Sequence, residues 1–279
     1  MTGVGHGKLV LVGEYAVLDG APAIVAAVDH GVRCRWSPGS PQIVTPNDDR
    51  FARAALAAVD APDGVWTFED QRSTQTSGKV GFGGSAAAVV AAVRCALAVT
   101  GASWSDEQLF SSCADVHHRV QGSGSGIDVA AATFGGVLRF QAGAVTRLQV
   151  RPRFIVVYAG TSAATGPRVA RYLAAPDRAA FIAESQAVVD AFAESPIAAT
   201  EGAYRALCAM SRAAGLDWET PEIARLRALA VALGGAAKPS GAGGGDAVVA
   251  FLPDLAAEAE YERRVRAEGF TVVQAGLVG

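Results

Sequence analysis

Apolar residues fall in short runs whose spacing switches between strand-like and helix-like. Residues 4–12 and 23–28 are β-rich, and residues 32–36 alternate as a half-buried or edge strand does. Asn47 is placed to cap a helix running through Val59 that puts Phe51, Ala55 and Leu56 on one face; residues 65–68 read as the next strand. From Gly84 an Ala/Val run to about Val99 predicts a helix apolar almost all round, hence buried, with Gly101 as its stop. Ser105 with Gln108 three residues on forms a capping-box pattern. It opens a helix that turns Leu109, Phe110, Cys113, Val116 and Val120 inward and runs into the glycine-rich turn 122–126. A short helix at 127–133 and strands at 137–140, 145–150 and 154–158 follow. Helices are expected at 168–174, 178–192, 201–214, 221–233 and 255–268, the fourth capped by Thr220 and Pro221, with strands at 246–252 and 270–273.

A chain of 279 residues corresponds to roughly two domains at about 150 residues each. Strand-rich sequence gives way to helix-rich sequence near 150–154, so the expected division is 1–152 and 153–279. At 51% hydrophobic and 18% charged residues it has ample material for a core. Against 27 acidic side chains stand 24 Lys and Arg, a net charge of −3, so nucleic acid is not expected as a partner. The apolar runs 9–12 and 86–93 stop far short of the ~18 residues that cross a bilayer, and no signal-peptide pattern follows Lys8, so no membrane partner and a cytoplasmic location are expected. Cys34, Cys95, Cys113 and Cys208 are scattered and read as buried, reduced thiols.

Three glycine-rich stretches carry the candidate chemistry. Lys79-Val-Gly-Phe-Gly-Gly-Ser-Ala-Ala87 lies directly ahead of the long Ala/Val helix, where close-approaching amides and a helix N-terminus make an anion cradle and Ser85 adds a hydroxyl. A tight turn capping a buried helix is the alternative. Walker A is excluded because no Lys follows the glycines, and a dinucleotide fingerprint is the weaker reading because residues 73–79 are polar. Lys238-Pro-Ser-Gly-Ala-Gly-Gly-Gly-Asp246 is too glycine-rich for a regular element. It reads either as a linker or as a loop packed on the phosphate cradle. In Gln121-Gly-Ser-Gly-Ser-Gly-Ile-Asp128 the acid is either catalytic or a plain N-cap. Lys8, at the start of an apolar strand, is either a snorkelling surface residue or the partner of Asp128 beside a reacting phosphate.

Together and in this order the segments resemble the GHMP kinase superfamily, named for galactokinase, homoserine kinase, mevalonate kinase and phosphomevalonate kinase, over nearly the whole chain. Gly-Glu-Tyr-Ala-Val-Leu at 13–18, the 79–85 and 238–246 stretches, and Gly-Ser-Gly-Ile-Asp-Val-Ala-Ala at 124–131 look most like phosphomevalonate kinases. Gly-Thr-Ser-Ala-Ala-Thr at 160–165 is similar to their substrate loop, and mevalonate kinases are close. The resemblance implies a two-domain α/β (α+β) fold, an N-terminal domain like ribosomal protein S5 domain 2 and a C-terminal ferredoxin-like domain, with the site between them. It also implies ATP-dependent transfer, with Mg²⁺, to 5-phosphomevalonate in isoprenoid biosynthesis. Mevalonate or another small alcohol is the alternative acceptor, and a nucleotide binder without catalysis is the second alternative.

Carried over by match, Lys8 and Asp128 would flank the transferred group. Lys79, Gly81, Gly83, Gly84, Ser85, Ala86, Gly241, Ala242, Gly243 and Gly244 would hold ATP, with Ser85 near the metal. Glu14, Tyr15, Ser125, Gly126, Thr165, Arg168 and Ser240 would hold the acceptor. Two positions depart from the family pattern. Gly84 replaces the first Ser of Gly-Leu-Gly-Ser-Ser, and His117, eleven before Asp128, stands where mevalonate kinases carry a metal-binding Glu. The metal would then rest on Ser85, water and ATP oxygens. His117, His118, Arg119, Arg168 and Arg171 are cations available to a phosphorylated acceptor, or simply solvated side chains. No motif speaks for or against a homodimer.

Overall fold

The computed structural model describes residues 1–46, 48–71, 81–160 and 165–279, so Asn47, Lys79 and most of the 160–165 loop lie outside the described residues. The N-terminal half runs β1 (Thr2–Val12), a 3₁₀ turn (Ala16–Asp19), β2 (Ala23–Ser37), β3 (Gln42–Val44), α1 (Arg50–Ala58) and β4 (Val65–Asp70). It continues through α2 (Gly84–Thr100), α3 (Asp106–Gln121), α4 (Ile127–Phe134), β5 (Val137–Gln141) and β6 (Ala144–Leu148). Its sheet has the order β3-β4-β2-β5-β6, with β1 paired along β2. The two strand segments expected at 23–28 and 32–36 are one strand: the polar break at Asp29 and His30 sits at a register shift between Gly5 and Gly7, not at a strand end.

Helix α2 explains the Ala-rich composition. A Cβ on Gly5 would lie 2.1 Å from the Ala87 carbonyl oxygen and one on Gly3 2.3 Å from that of Ala91, so the helix backbone lies directly on the glycines of β1. Its other sides meet β2, α1, α3 and α4, which buries Ala86, Ala87, Val89, Val90 and Val93. The capping box forms as read: the Ser105 side chain accepts from Gln108 N and the Gln108 side chain accepts from Ser105 N.

The second half comprises β7 (Ile155–Tyr158), α5 (Thr165–Ala174), α6 (Ala179–Ala191), α7 (Pro196–Ala213), α8 (Pro221–Val231), β8 (Ala236–Pro239), β9 (Ala247–Phe251), α9 (Leu255–Ala267) and β10 (Thr271–Val273). Its sheet order is β10-β7-β9-β8. Strand β8 corrects the reading of 238–246 as wholly irregular: Lys238 and Pro239 pair with Val249 and Val248 because the buried Ala236-Ala237 pair carries the strand inward. The halves share a core in which Leu9 and Leu11 of β1 pack with Val249 and Phe251 of β9 and with Phe192. The tail returns to the first sheet, where Val278 N donates to Ala27 O at 3.1 Å. Cys34, Cys95 and Cys113 are buried free thiols, while Cys208 is half-buried. Among the described residues no helix is long and apolar enough to cross a membrane.

One polar tie joins the 3₁₀ turn to the second half. Asp19 accepts from Tyr172 Oη at 2.5 Å and from Arg178 Nη2 at 2.8 Å. The Arg178 hydrogen bonds, helped by Tyr172, hold the Asp19 carboxyl below its ordinary value of 3.8. A depressed folded-state pKa gives stabilisation that is complete above the unfolded value and is lost as pH falls through the folded one. Asp19→Ala is therefore expected to cost about 2 kcal/mol at neutral pH. Thermal melts across the acid range should show the Tm gap to the parent narrowing below about pH 4.

Candidate active site

The site begins with a backbone bond. Lys8 N donates to Phe82 O at 2.9 Å, which seats the residue ahead of Gly83 on β1. Gly83 caps α2 in the left-handed conformation, φ 75°, where a side chain would be strained. A Cβ there would also lie 3.0 Å from Lys8 Cγ, 3.5 Å from Lys8 Cε and 3.6 Å from Asp128 Cβ. An ammonium-bearing chain and a carboxylate-bearing one thus meet over the unpaired N–H groups of a helix start. Lys8 is buried, which rules out the snorkelling reading. Asp128 is not the cap of α4 either: that position is Gly126, with no side-chain cap, and Ser125 Oγ accepts from Ile127 N at 3.4 Å.

The second glycine loop packs against the first. A Cβ on Gly81 would lie 3.0 Å from Asp246 Cβ, and one on Gly241 would lie 3.6 Å from Lys8 Nζ. Gly243 is covered by the Trp218 indole, and Gly244 by the Arg168 guanidinium, whose Nη2 would be 1.9 Å from an added Cβ. Arg168 Nη2 also donates to Asp217 O at 3.4 Å. This loop is tied to the end of β1 in three places. Tyr15 Oη donates to Ala242 O at 2.6 Å, Gly241 N donates to Glu14 Oε1 at 3.5 Å, and Lys238 Nζ donates to Glu14 Oε1. Lys238 has no exposed surface; burial lowers its pKa, while Glu14 opposes that shift.

Ser85 Oγ and His117 Nε2 share a hydrogen bond of 3.1 Å, and the Phe51 ring stacks on the imidazole at 5.2 Å. Burial lowers the His117 pKa against the pull of the Asp128 charge, which favours a neutral ring at neutral pH. Among the described residues no group of three or more His, Cys, Asp or Glu side chains gathers as a metal site. The donors near the cradle are the Ser85 hydroxyl and the Asp128 carboxylate. Such oxygens suit a Mg²⁺ that arrives with phosphates and keeps water in its shell, but do not form a cage of their own.

A cavity of about 330 Å³ opens beside Lys8 and Asp128. Ser125, Gly126 and Thr165 line it, as do Glu14, Tyr15 and His118. Gly241 and Ala242, matched to the nucleotide side, line it too. Arg168 and Ser240 are not on its wall: Arg168 lies on Gly244, and Ser240 is buried with its backbone N–H on Ala247 O at 2.8 Å. Arg119 and Arg171 donate to the carbonyls of Asp115 and Gly215 instead. Ala86 is core, fully buried. Two residues at the site, Lys238 as the partner of Glu14 and Asp246 as the neighbour of Gly81, were read only as members of the 238–246 loop, without these partners. The available signal was a charge at each end of a glycine run set between apolar strands.

Known proteins share this fold. The model of the GHMP kinases N-terminal domain matches residues 73–136, and that of the GHMP kinases C-terminal domain matches residues 198–270. A phosphomevalonate kinase of Streptomyces sp. (strain CL190) is 28% identical over 331 aligned positions, covering 88% of each chain. Among solved structures, Streptococcus pneumoniae phosphomevalonate kinase in complex with phosphomevalonate and AMPPNP superposes with a TM-score of 0.87 at 20% identity, covering 100% of both chains. Methanococcus jannaschii mevalonate kinase superposes at 0.82 with 17% identity, covering 100% of this chain and 98% of that one. The chain thus carries, in order, segments that match the GHMP kinases N-terminal and C-terminal domains, on a fold shared with these kinases.

Proposed function

We propose that this protein transfers the γ-phosphoryl group of ATP to the phosphate of 5-phosphomevalonate, giving the 5-diphosphate. The observation that carries the reading is the meeting of Lys8 and Asp128 over Gly83 at the mouth of the cavity. The likeness to phosphomevalonate kinases supports the choice of acceptor. In this reading the N–H groups at the start of α2 cradle the nucleotide phosphates, where a helix N-terminus presents about half a positive charge. Lys8 neutralises charge that builds on the transferred group, which is the main catalytic lever in phosphoryl transfer. Ser85, with nucleotide oxygens and water, would hold Mg²⁺, which supplies further charge neutralisation when bound.

The acceptor occupies the cavity against Ser125 and Gly126, with His118 and the N-terminus of α5 at Thr165 available to its anionic groups. A phosphate monoester with a second pKa near 6 is mostly ionised at neutral pH. Asp128 therefore need not take a proton from it, and its work is to orient Lys8 and the acceptor.

Three measurements test the reading. In an ADP-release assay over 5-phosphomevalonate, mevalonate, homoserine and galactose, turnover should be highest with the first. A preference for mevalonate makes this an alcohol kinase, and ATP binding without any turnover makes it a binder. Lys8→Met should lose at least about 10²-fold in kcat while calorimetry shows ATP affinity largely retained; unchanged turnover removes Lys8 from the site. Asp128→Asn should lower kcat for 5-phosphomevalonate by less than the 10²-fold or more that loss of a general base typically costs; a larger loss would assign proton abstraction to Asp128.

A further inference from the structure

Glu14 lies at the centre of a buried charge cluster next to the transfer site. Its side chain is 2% exposed, and its Oε2 is buried without a hydrogen-bond partner among the described residues. Its Oε1 takes Lys238 Nζ and the N–H of Gly241. Lys8 Nζ approaches that same glycine, to 3.6 Å from where a Cβ would stand, and the Lys8 charge is felt at Lys238. One buried carboxylate therefore has two ammonium groups within its field. In a low-dielectric setting an uncompensated carboxylate draws in whatever cation can reach it. Lys238 is locked in place: fully buried, paired in β8, and donating also to Pro239 O at 3.0 Å. The Lys8 stem lies along Gly83 while its Nζ stands beside Gly241, so the ammonium is poised between the cradle and the loop that Glu14 holds.

We propose that Lys238 is a positioning residue for phosphoryl transfer: by satisfying Glu14 it keeps the Lys8 ammonium from pairing with that carboxylate and leaves it directed at the Gly83 cradle. The inference rests on Lys8 acting on the transferred group. Lys238 itself touches neither nucleotide nor acceptor, so its loss acts on turnover more than on ATP binding.

The test uses the full chain with Lys238→Gln, which keeps a hydrogen bond to Glu14 but removes the charge, and the double variant Glu14→Gln/Lys238→Gln, which removes the competing carboxylate as well. Lys238→Gln should lose about thirtyfold or more in kcat with KM for ATP within about threefold. The double variant should regain at least about tenfold of that loss. A single variant with parental kcat overturns the proposal, as does a rise in KM matching the fall in kcat. So does a folded double variant that stays as slow as the single. If the single variant does not fold, the double decides, read at saturating acceptor because Glu14 lines the cavity: kcat within about tenfold of the parent supports the proposal, and a larger loss in folded protein overturns it. Lys8→Met separates the two levels. If it retains turnover, the reading of Lys8 fails; if it is inactive while Lys238→Gln is not, only the role of Lys238 fails.

Discussion

Everything at the site depends on how closely α2 lies on β1. Glycines at positions 3 and 5 remove the side chains that would hold the helix away, and the alanines of α2 remove them from the other side. The resulting contact is backbone against backbone, and a methyl group on Gly5 would collide with the Ala87 carbonyl. Overpacking of this kind costs about 1–3 kcal/mol even where the surroundings can shift. Its consequence is positional: with the helix fixed at that depth, its first turn starts level with Lys8, and the Lys8 N–H to Phe82 O bond fixes the register.

That placement sets the electrostatics. A helix start offers partial positive charge without flexible side chains, and Lys8 adds a full charge on a side chain buried against Gly83. Asp128 enters from α4, whose cap is a glycine, so its carboxylate is not consumed in holding the helix end. His117 then occupies the position beside Ser85 as a buried ring rather than a carboxylate. Asp115, one turn from His118 on the same helix, is the acid of α3 that lines the cavity.

Local signals made the elements legible. The Ser105 and Gln108 pair, the all-round apolar run after Gly84 and the Thr220-Pro221 start are each decided within a few residues, and each forms as read. The order of the glycine stretches made the likeness to GHMP kinases legible too. Long-range pairing was not: Glu14 and Lys238 are 224 residues apart, and no local preference says that an acid after β1 will meet a base in β8. Strand β8 was missed because its four residues, Ala-Ala-Lys-Pro, are too few to show an alternation between the glycines on either side. Continuity of β2 through Asp29 and His30 was missed because a register shift between paired strands leaves no mark in one strand's alternation.

The segment between β1 and β2 links these levels. Tyr15 is held at φ 63° and ψ −54°, a conformation unfavourable for a residue with a side chain and stable only where the surroundings over-determine it. They do so here from the second half of the chain: its hydroxyl is on Ala242 O, its ring packs on Tyr172 at 5.1 Å, and Asp19 four residues on is bound by Arg178. Burial pushes the Tyr15 phenol up to about 12, so it stays a donor to that carbonyl across the working pH range. The cavity wall formed by Glu14 and Tyr15 is thus set by contacts with the C-terminal half, while Lys8, a few residues earlier, is set by the N-terminal helix. One short stretch of chain therefore ties the cavity wall to both halves at once.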